Sequence, residues 1–144
     1  MNIAIEKARP EDTGAVCQLL ESNKLPLDGL RAHLGTTIVA RRGGKVVGVA
    51  ALEVYPDGVL MRSVAVAPAL QGHGLGHQPT DAVLRLARDL HAPHVFLLTT
   101  TAERYFPKFG FERIERNDVP ASVQASVEFT SACPSSATVM RKAL

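Results

Sequence analysis

The stretch "VAVAPALQGHGLGHQPTDAV", residues 64–83, decides the reading of this chain. An apolar run, "VAVA", stops at Pro68. Three glycines follow, Gly72, Gly74 and Gly76, and then a segment with apolar residues at helical spacing. A strand, a glycine turn and a helix start are the parts of a phosphate-binding device. Glycine lets the backbone approach an anion, and the free N–H groups of the helix start bind it. A loop of the form G-x-x-x-x-G-K-[ST] is excluded, because no Lys-Ser or Lys-Thr follows these glycines. A dinucleotide turn, G-x-G-x-x-G, also fails: the third glycine is one place early, and no acidic residue ends the next apolar run, "HVFLLTT". A third form, Q/R-x-x-G-x-G/A, wraps successive backbone N–H groups around a pyrophosphate. Gln71-Gly72-His73-Gly74-Leu75-Gly76 meets it at every specified position. Glycine-rich turns also precede helices for steric reasons alone, so the surroundings must carry part of the argument.

Working outward, residues 3–8 read as a short strand and "RPEDTGAVCQLLESN" as a helix with Ala15, Val16, Leu19 and Leu20 inward. Pro10 suits its first turn, where Glu11 and Asp12 complement the helix dipole. "KLPLDGLRAHLG" is a break and a short helix. "TTIVARR", "KVVGVAALEVY" and "VLMRSVAVA" read as consecutive antiparallel strands, joined by "GGK" and by a turn at "PDG". The helix after the glycines turns Val83, Leu86, Ala87 and Leu90 to one side. "HVFLLTT" is a buried strand, "TAERYFPKFG" a short helix capped by Gly110, and "FERIER" a strand. "NDVPASVQAS" is a last helical segment and "SATVMRKAL" a final strand. The order β-α-α-β-β-β-α-β-α-β-(α)-β is that of one α/β domain.

The chain has 144 residues, enough for one domain with a real core. A net charge of +2, with Lys and Arg scattered, argues against a nucleic-acid partner. No apolar run approaches a membrane span. Charges at positions 6, 7, 9, 11 and 12 argue against a signal peptide, so cytoplasmic residence is the expectation. Cys17 and Cys133 have neither disulfide-framework nor metal spacing and read as structural thiols.

The hexapeptide 71–76 sits among "KLPLDGL", "LMRSVAVAP", "FLLTTTAERYFPKFGF", "DVPASV" and "EFTSACPSSATVM". Together these resemble the GNAT superfamily of acetyl-CoA-dependent N-acetyltransferases over nearly the whole chain. Within it they are similar to the acetyltransferase domain of N-acetylglutamate synthases, and more so to small N-acetyltransferases associated with arsenic-resistance operons. The resemblance implies a single domain over residues 1–144. Its sheet is mixed, mostly antiparallel, splayed between the fourth and fifth strands and flanked by helices. It implies acetyl-CoA as cosubstrate and no metal. The pantetheine arm would lie along Val64, Ala65 and Val66, and the pyrophosphate on Gln71, Gly72, His73, Gly74, Leu75 and Gly76. The adenine end would run near His77 and residues 102–109. Residues 24–30, Leu27 among them, would form part of the acceptor lid. A homodimer through sheet edges is an assembly common in the superfamily.

Acetyl transfer to an amine needs a neutral amine, a donor to the developing oxyanion and a proton for the leaving thiolate. A backbone N–H near Val64 is the candidate oxyanion donor. Glu53, late on a central strand among apolar residues, is the candidate base, with the raised pKa that burial gives a carboxyl. If Asp57-Gly58 is the hairpin loop, Glu53 lies directly opposite Arg62, and a structural ion pair is the competing reading. Arg62 is also a candidate for holding a substrate carboxylate. Where many relatives carry an acidic residue before the "VAV" core, this chain has Leu60. Where many have a Tyr beside the sulfur, it has Phe106, a cofactor contact that donates no proton. Thr99, Thr100, Thr101 or a water remain as proton donors. Thr100 is the candidate, since Thr101 reads as a helix N-cap. Ser126, Glu128, Ser131 and Ser135 lie near the mouth in a polar loop.

The leading function is acetylation of a small amine, either an amino acid or an amine-bearing organoarsenical. Acetylation of a protein N-terminus or lysine is a second reading, and a CoA-binding module without turnover a third. His73 and His77 stand where Arg or Lys is common in the superfamily. Histidines gain charge as pH falls. The KM for acetyl-CoA is therefore expected to fall between pH 8 and pH 6, and a flat profile would remove both histidines from cofactor binding.

Overall fold

Strand signals in the chain become a seven-stranded sheet with the order β1-β2-β3-β4-β5-β7-β6. The computed structural model describes residues 3–71 and 77–144. The strands are β1 (Ala4–Lys7), β2 (Thr37–Arg42), β3 (Lys45–Tyr55), β4 (Gly58–Val66), β5 (His94–Thr99), β6 (Glu112–Ile114) and β7 (Thr138–Ala143). All neighbouring pairs are antiparallel except β4 and β5, which are parallel. β3 is buried from Val46 to Glu53, which is why it reads as an almost continuous apolar run.

Helix α1 (Thr13–Ser22) lies on one face and buries Val16, Leu19 and Leu20 with Leu30, Val39 and Val49. Ala15 is exposed, so the inward stripe is narrower than expected. The Pro10–Asp12 segment is a separate 3-10 turn. There Asp12 accepts from the Arg9 backbone N–H at 2.7 Å and pairs with Arg41 from β2. Helix α2 (His77–Asp89) lies on the other face and buries Val83, Leu84 and Ala87 against Leu52, Met61, Val95 and Leu97. Leu90 falls past the end of α2 and is exposed, contrary to the expected stripe. Pro79 sits in the first turn of α2, where its missing N–H would have no intrahelical partner in any case. The short helix α3 (Ala121–Gln124) follows β6, and a wide π-turn at Glu128–Ala132 leads into β7. The segment 102–110 holds a 3-10 turn, Phe106–Phe109, closed by Gly110 in the left-handed conformation at φ 93°.

Two departures from regular pairing shape the site. β4 and β5 pair only at Val59 with Val95 and at Leu60 with Phe96. Beyond those residues the strands diverge, so the sheet is splayed between its fourth and fifth strands. The second departure is a bulge. From Val49↔Ala65 to Ala51↔Arg62, β3 advances two residues and β4 three. The surplus falls at Ser63, which takes φ 58°, a conformation that L residues adopt at a cost of about 1–3 kcal/mol. A bulge leaves backbone groups off the ladder. Here it does so at Ser63–Val64, where the strands part.

The β3–β4 register also corrects an expectation. Tyr55 pairs with Gly58, so the two-residue loop is Pro56–Asp57, not Asp57–Gly58. Glu53 therefore faces Leu60, and Arg62 faces Ala51. Glu53 and Arg62 are diagonal neighbours, still within reach of long side chains.

Gly58 stands at the closed end of the splay. A Cβ there would lie 2.9 Å from Phe96 Cε2 and 3.1 Å from the His94 carbonyl oxygen. Gly58→Ala is expected to destabilise the fold by about 1–3 kcal/mol, the usual effect of overpacking, as measured by urea denaturation. A variant as stable as wild type would show that the closed end of the splay has slack.

Candidate active site

The divergence of β4 and β5 opens a cavity of about 200 Å³. Met61, Arg62, Ser63 and Val64 line it from β4, and Leu97 to Thr101 from β5 and the turn after it. Phe106 closes one side. Lys24, Leu25 and Pro26 cover another, and Glu128, Ala132, Cys133 and Pro134 a third. A second cavity of about 520 Å³ holds Val64, Ala65, Val66, Gln71 and His77 with Asn23, Tyr105 and Lys108. Val64 belongs to both. The structure thus brings together the strand segment, Gln71 and His77 expected to carry the cofactor. Gly72, His73, Gly74, Leu75 and Gly76 lie outside the described residues.

Around the second cavity, Gln71 Nε2 donates to Asn23 Oδ1 at 2.9 Å and to the Val66 carbonyl at 3.1 Å. Asn23 Nδ2 donates to the same carbonyl at 3.2 Å. Asn23 ends α1 with no motif around it, and sequence reasoning missed it. The His77 ring stacks on Tyr105 at 5.7 Å and tilts against Phe109 at 5.4 Å, and Lys108 Nζ sits 4.8 Å from the Tyr105 ring centre. An apolar floor with one cation beside it suits the flat, anionic end of a nucleotide.

Arg62 dominates the first cavity. Its side chain is fully buried, as is that of Glu53. Nη1 donates to Glu53 Oε2 at 2.8 Å and to the Asp28 carbonyl at 2.5 Å. Nη2 donates to the Pro26 carbonyl at 3.3 Å, and Nε to Ser63 Oγ at 3.0 Å. Glu53 Oε1 accepts from Tyr55 Oη and Ser126 Oγ, each at 2.5 Å, and His33 Nε2 lies 3.9 Å from Oε2. Burial pushes the Glu53 carboxyl up. The hydrogen bonds from Ser126, Tyr55 and Arg62, with His33 nearby, outweigh burial and hold the group below the usual glutamate range. This corrects the expected raised pKa: the neighbours on the strand are apolar, but donors arrive from other segments. Glu53 also stands behind Arg62 and is not on the cavity wall.

The carboxylate on that wall is Glu128. It is buried, and its Oε2 lies 3.9 Å from Arg62 Nη2. Burial pushes its carboxyl up; Arg62 opposes this, Glu53 adds to it, and a hydrogen bond from the Cys133 thiol opposes it again. The Cys133 thiol is pushed up to about 12, by burial first and then by the Glu128 charge and hydrogen bond. It stays protonated at neutral pH, a donor to Glu128 and a poor nucleophile.

Other expectations fare unevenly. Thr100 is exposed on the cavity wall. The cap of the next turn is Thr99, not Thr101: Thr99 Oγ1 accepts from the Ala102 N–H at 2.9 Å. Leu27 packs with the α1 cluster and does not line the cavity, which its neighbours Leu25 and Pro26 do. Among the described residues no group of three His, Cys, Asp or Glu is placed to hold a metal, and no helix is long and apolar enough to cross a membrane.

A sequence profile of the acetyltransferase (GNAT) family matches residues 4–111. The chain belongs to this family. It is 39% identical over 129 residues to the amino-acid acetyltransferase of Mycobacterium tuberculosis, covering 83% of this chain and 74% of that protein. The Ralstonia nicotianae amino-acid acetyltransferase is 33% identical over 127 residues, but the match spans only 28% of that longer protein. Among solved structures, Rv2747 from Mycobacterium tuberculosis, in complex with CoA and a second ligand, superposes with a TM-score of 0.83. The match has 32% identity over 98% of this chain and 99% of that one. The Neisseria gonorrhoeae N-acetylglutamate synthase, complexed with coenzyme A and N-acetyl-glutamate, shares the fold: TM-score 0.85, 20% identity, all of this chain and 35% of that one.

The protein is an acetyl-CoA-dependent N-acetyltransferase, and the site is read on that footing. Glu128 then has a stability signature of its own. Its carboxyl is raised in the fold, so folding binds that proton more tightly than the unfolded chain does. Stability is lost as pH rises from the unfolded value of about 4.3 through the folded one. Glu128→Gln removes that loss. The variant is expected to melt above wild type at pH 7.5 and close to it at pH 4. A variant that melts below wild type at pH 7.5 would contradict the raised carboxyl.

Proposed function

We propose that this acetyltransferase acts on the α-amino group of a free amino acid, by direct attack of the amine on the thioester of acetyl-CoA. The observation that carries the reading is the wall of the 200 Å³ cavity, where a buried guanidinium and a buried carboxylate lie 3.9 Å apart. A zwitterion presents the complementary pair, an ammonium for Glu128 and a carboxylate for the Arg62–Lys24 side. Arg62, with four of its five N–H groups already bonded to Glu53, Asp28, Pro26 and Ser63, brings positive charge to that side rather than a free fork. The names of the relatives support the same substrate class.

The cover of the cavity supports a small acceptor over a protein one. The Pro26 and Asp28 carbonyls are bound to Arg62, and Ser126 to Glu53, so both closing segments are tied to the floor. A peptide substrate needs an open groove there. The protonated Cys133 supports transfer without an acyl-enzyme, since no activated nucleophile lines the 200 Å³ cavity among the described residues. The backbone N–H groups released by the Ser63–Val64 bulge are the donors proposed for the oxyanion. Thr100, or water at the mouth, is proposed to supply the proton of the leaving thiolate. Positioning of the zwitterion between Glu128 and the Arg62–Lys24 side supplies further rate.

A thiol-release assay with acetyl-CoA tests the substrate class. Free amino acids are expected to turn over, and their decarboxylated amines to lose at least about tenfold in kcat/KM, as a site built for a polar group rejects the analogue lacking it. Equal rates for the decarboxylated amines, or a preference for peptide N-termini, would overturn the amino-acid reading.

A further inference from the structure

We infer that Glu128 accepts the proton of the attacking ammonium, while Glu53 is a positioning residue that neutralises and holds Arg62. The inference rests on the small-amine reading and names the group that prepares the nucleophile.

Geometry separates the two carboxylates. Glu53 has its oxygens occupied by Tyr55, Ser126 and Arg62 and does not reach the cavity. A carboxylate engaged by three donors is a weak base with no route to the substrate. Glu128 is the carboxylate among the described residues of the cavity wall. Arg62 is already matched at 2.8 Å by Glu53, and at 3.9 Å it does not hydrogen-bond Glu128. Glu128 is therefore near a cation without being consumed by one.

The local backbone is built to present this side chain. Glu128 opens the π-turn Glu128–Ala132, a widened turn that occurs often at functional sites. Its N–H donates to Ser126 Oγ at 3.1 Å, and its carbonyl accepts from the Cys133 N–H at 3.2 Å. Ser126 Oγ in turn donates a hydrogen bond to Glu53 Oε1, so one hydroxyl fixes the Glu128 backbone and the Glu53 carboxylate together. The groups facing the Glu128 carboxylate are Arg62 from β4, Cys133 from its own segment, and the more distant charges of Glu53 and Asp28. Their balance, with burial, raises the carboxyl towards the pH at which a base works best.

The step balances. An N–H bond of R–NH3+ breaks and its proton moves to a Glu128 carboxylate oxygen. The freed lone pair forms the C–N bond at the thioester carbon. The C–S bond breaks and its electron pair leaves on sulfur. A second N–H proton passes to that thiolate, relayed by Thr100 or water, and Glu128 returns the first to solvent. One ammonium and one thioester give one amide, one thiol and one proton.

The test is the pH profile of kcat/KM and the kcat of Glu128→Gln, Glu128→Asp and Glu53→Gln, by thiol release, with free amino acids and simple primary amines as acceptors. Glu128→Gln is expected to lose about 100-fold or more in kcat, keep its KM for acetyl-CoA within about twofold, and lose the acidic limb of the profile. Glu128→Asp is expected to retain that limb. Glu53→Gln is expected to raise the KM for the acceptor and retain the limb. Glu128→Ala should regain activity when formate is added, an outcome that a merely structural role does not produce. A Glu128→Gln enzyme within tenfold of the wild-type kcat, or an acidic limb lost in Glu53→Gln and kept in Glu128→Gln, would overturn the assignment. If wild type uses simple amines better than amino acids, only the substrate reading fails. The Glu128 comparison then stands on those amines.

Discussion

The Arg62–Glu53 ion pair is the constraint on which the rest of the site depends. Both side chains are fully buried. Taking two charges out of water costs several kcal/mol per ion, and mutual attraction offsets this only when the remaining donors and acceptors are also satisfied. Here they are. Tyr55 and Ser126 complete the shell of Glu53, and the Asp28 and Pro26 carbonyls with Ser63 complete that of Arg62. The five supplementary partners come from four places in the chain. The pair therefore ties β3, β4, the segment after α1 and the segment before β7 into one unit, and the last three of these line the 200 Å³ cavity together with β5.

The same arrangement gives two nearby glutamates opposite tendencies. Glu53 is surrounded by donors and stays ionised, whereas Glu128 has one distant guanidinium and one thiol, and burial prevails. Environments that push two carboxyls apart are how one site divides fixed charge from proton transfer. The bulge at Ser63 belongs to the same design. It frees backbone at the mouth of the splay and turns Ser63 Oγ to receive Arg62 Nε, so the strained residue is held by the ion-pair network.

Legibility in the sequence followed the range of the interactions. The long apolar run of β3, the two-residue turns and the helix after the glycines depend on neighbours in the chain, and they were readable. Errors arose at single-residue resolution. The hairpin loop begins one place earlier than expected, at Pro56, which turns an opposite pair into a diagonal one. Leu27 joins the core under α1, between the Pro26 and Asp28 carbonyls that Arg62 holds. Leu90 lies past the helix end and has no sheet to cover it. The glycine cradle was the firmest motif, and its five central residues lie outside the described structure. Its two ends, Gln71 and His77, meet in the second cavity.

By itself, the sequence determined the α/β class, the order of elements, acetyl-CoA as cosubstrate and the family. The first two rest on local periodicity, and the other two on motifs that resemble those of the superfamily. Tertiary structure alone decided which carboxylate lines the 200 Å³ cavity. Glu53 looked like a base because its neighbours along the strand are apolar, but its actual neighbours are Ser126, from 73 positions away, and Arg62. Glu128 looked like a solvated loop residue, and it is buried against the cavity because the C-terminal segment folds back over β4. The electrostatics of a side chain are set by what surrounds it in space, and here those surroundings come from segments far apart in the chain.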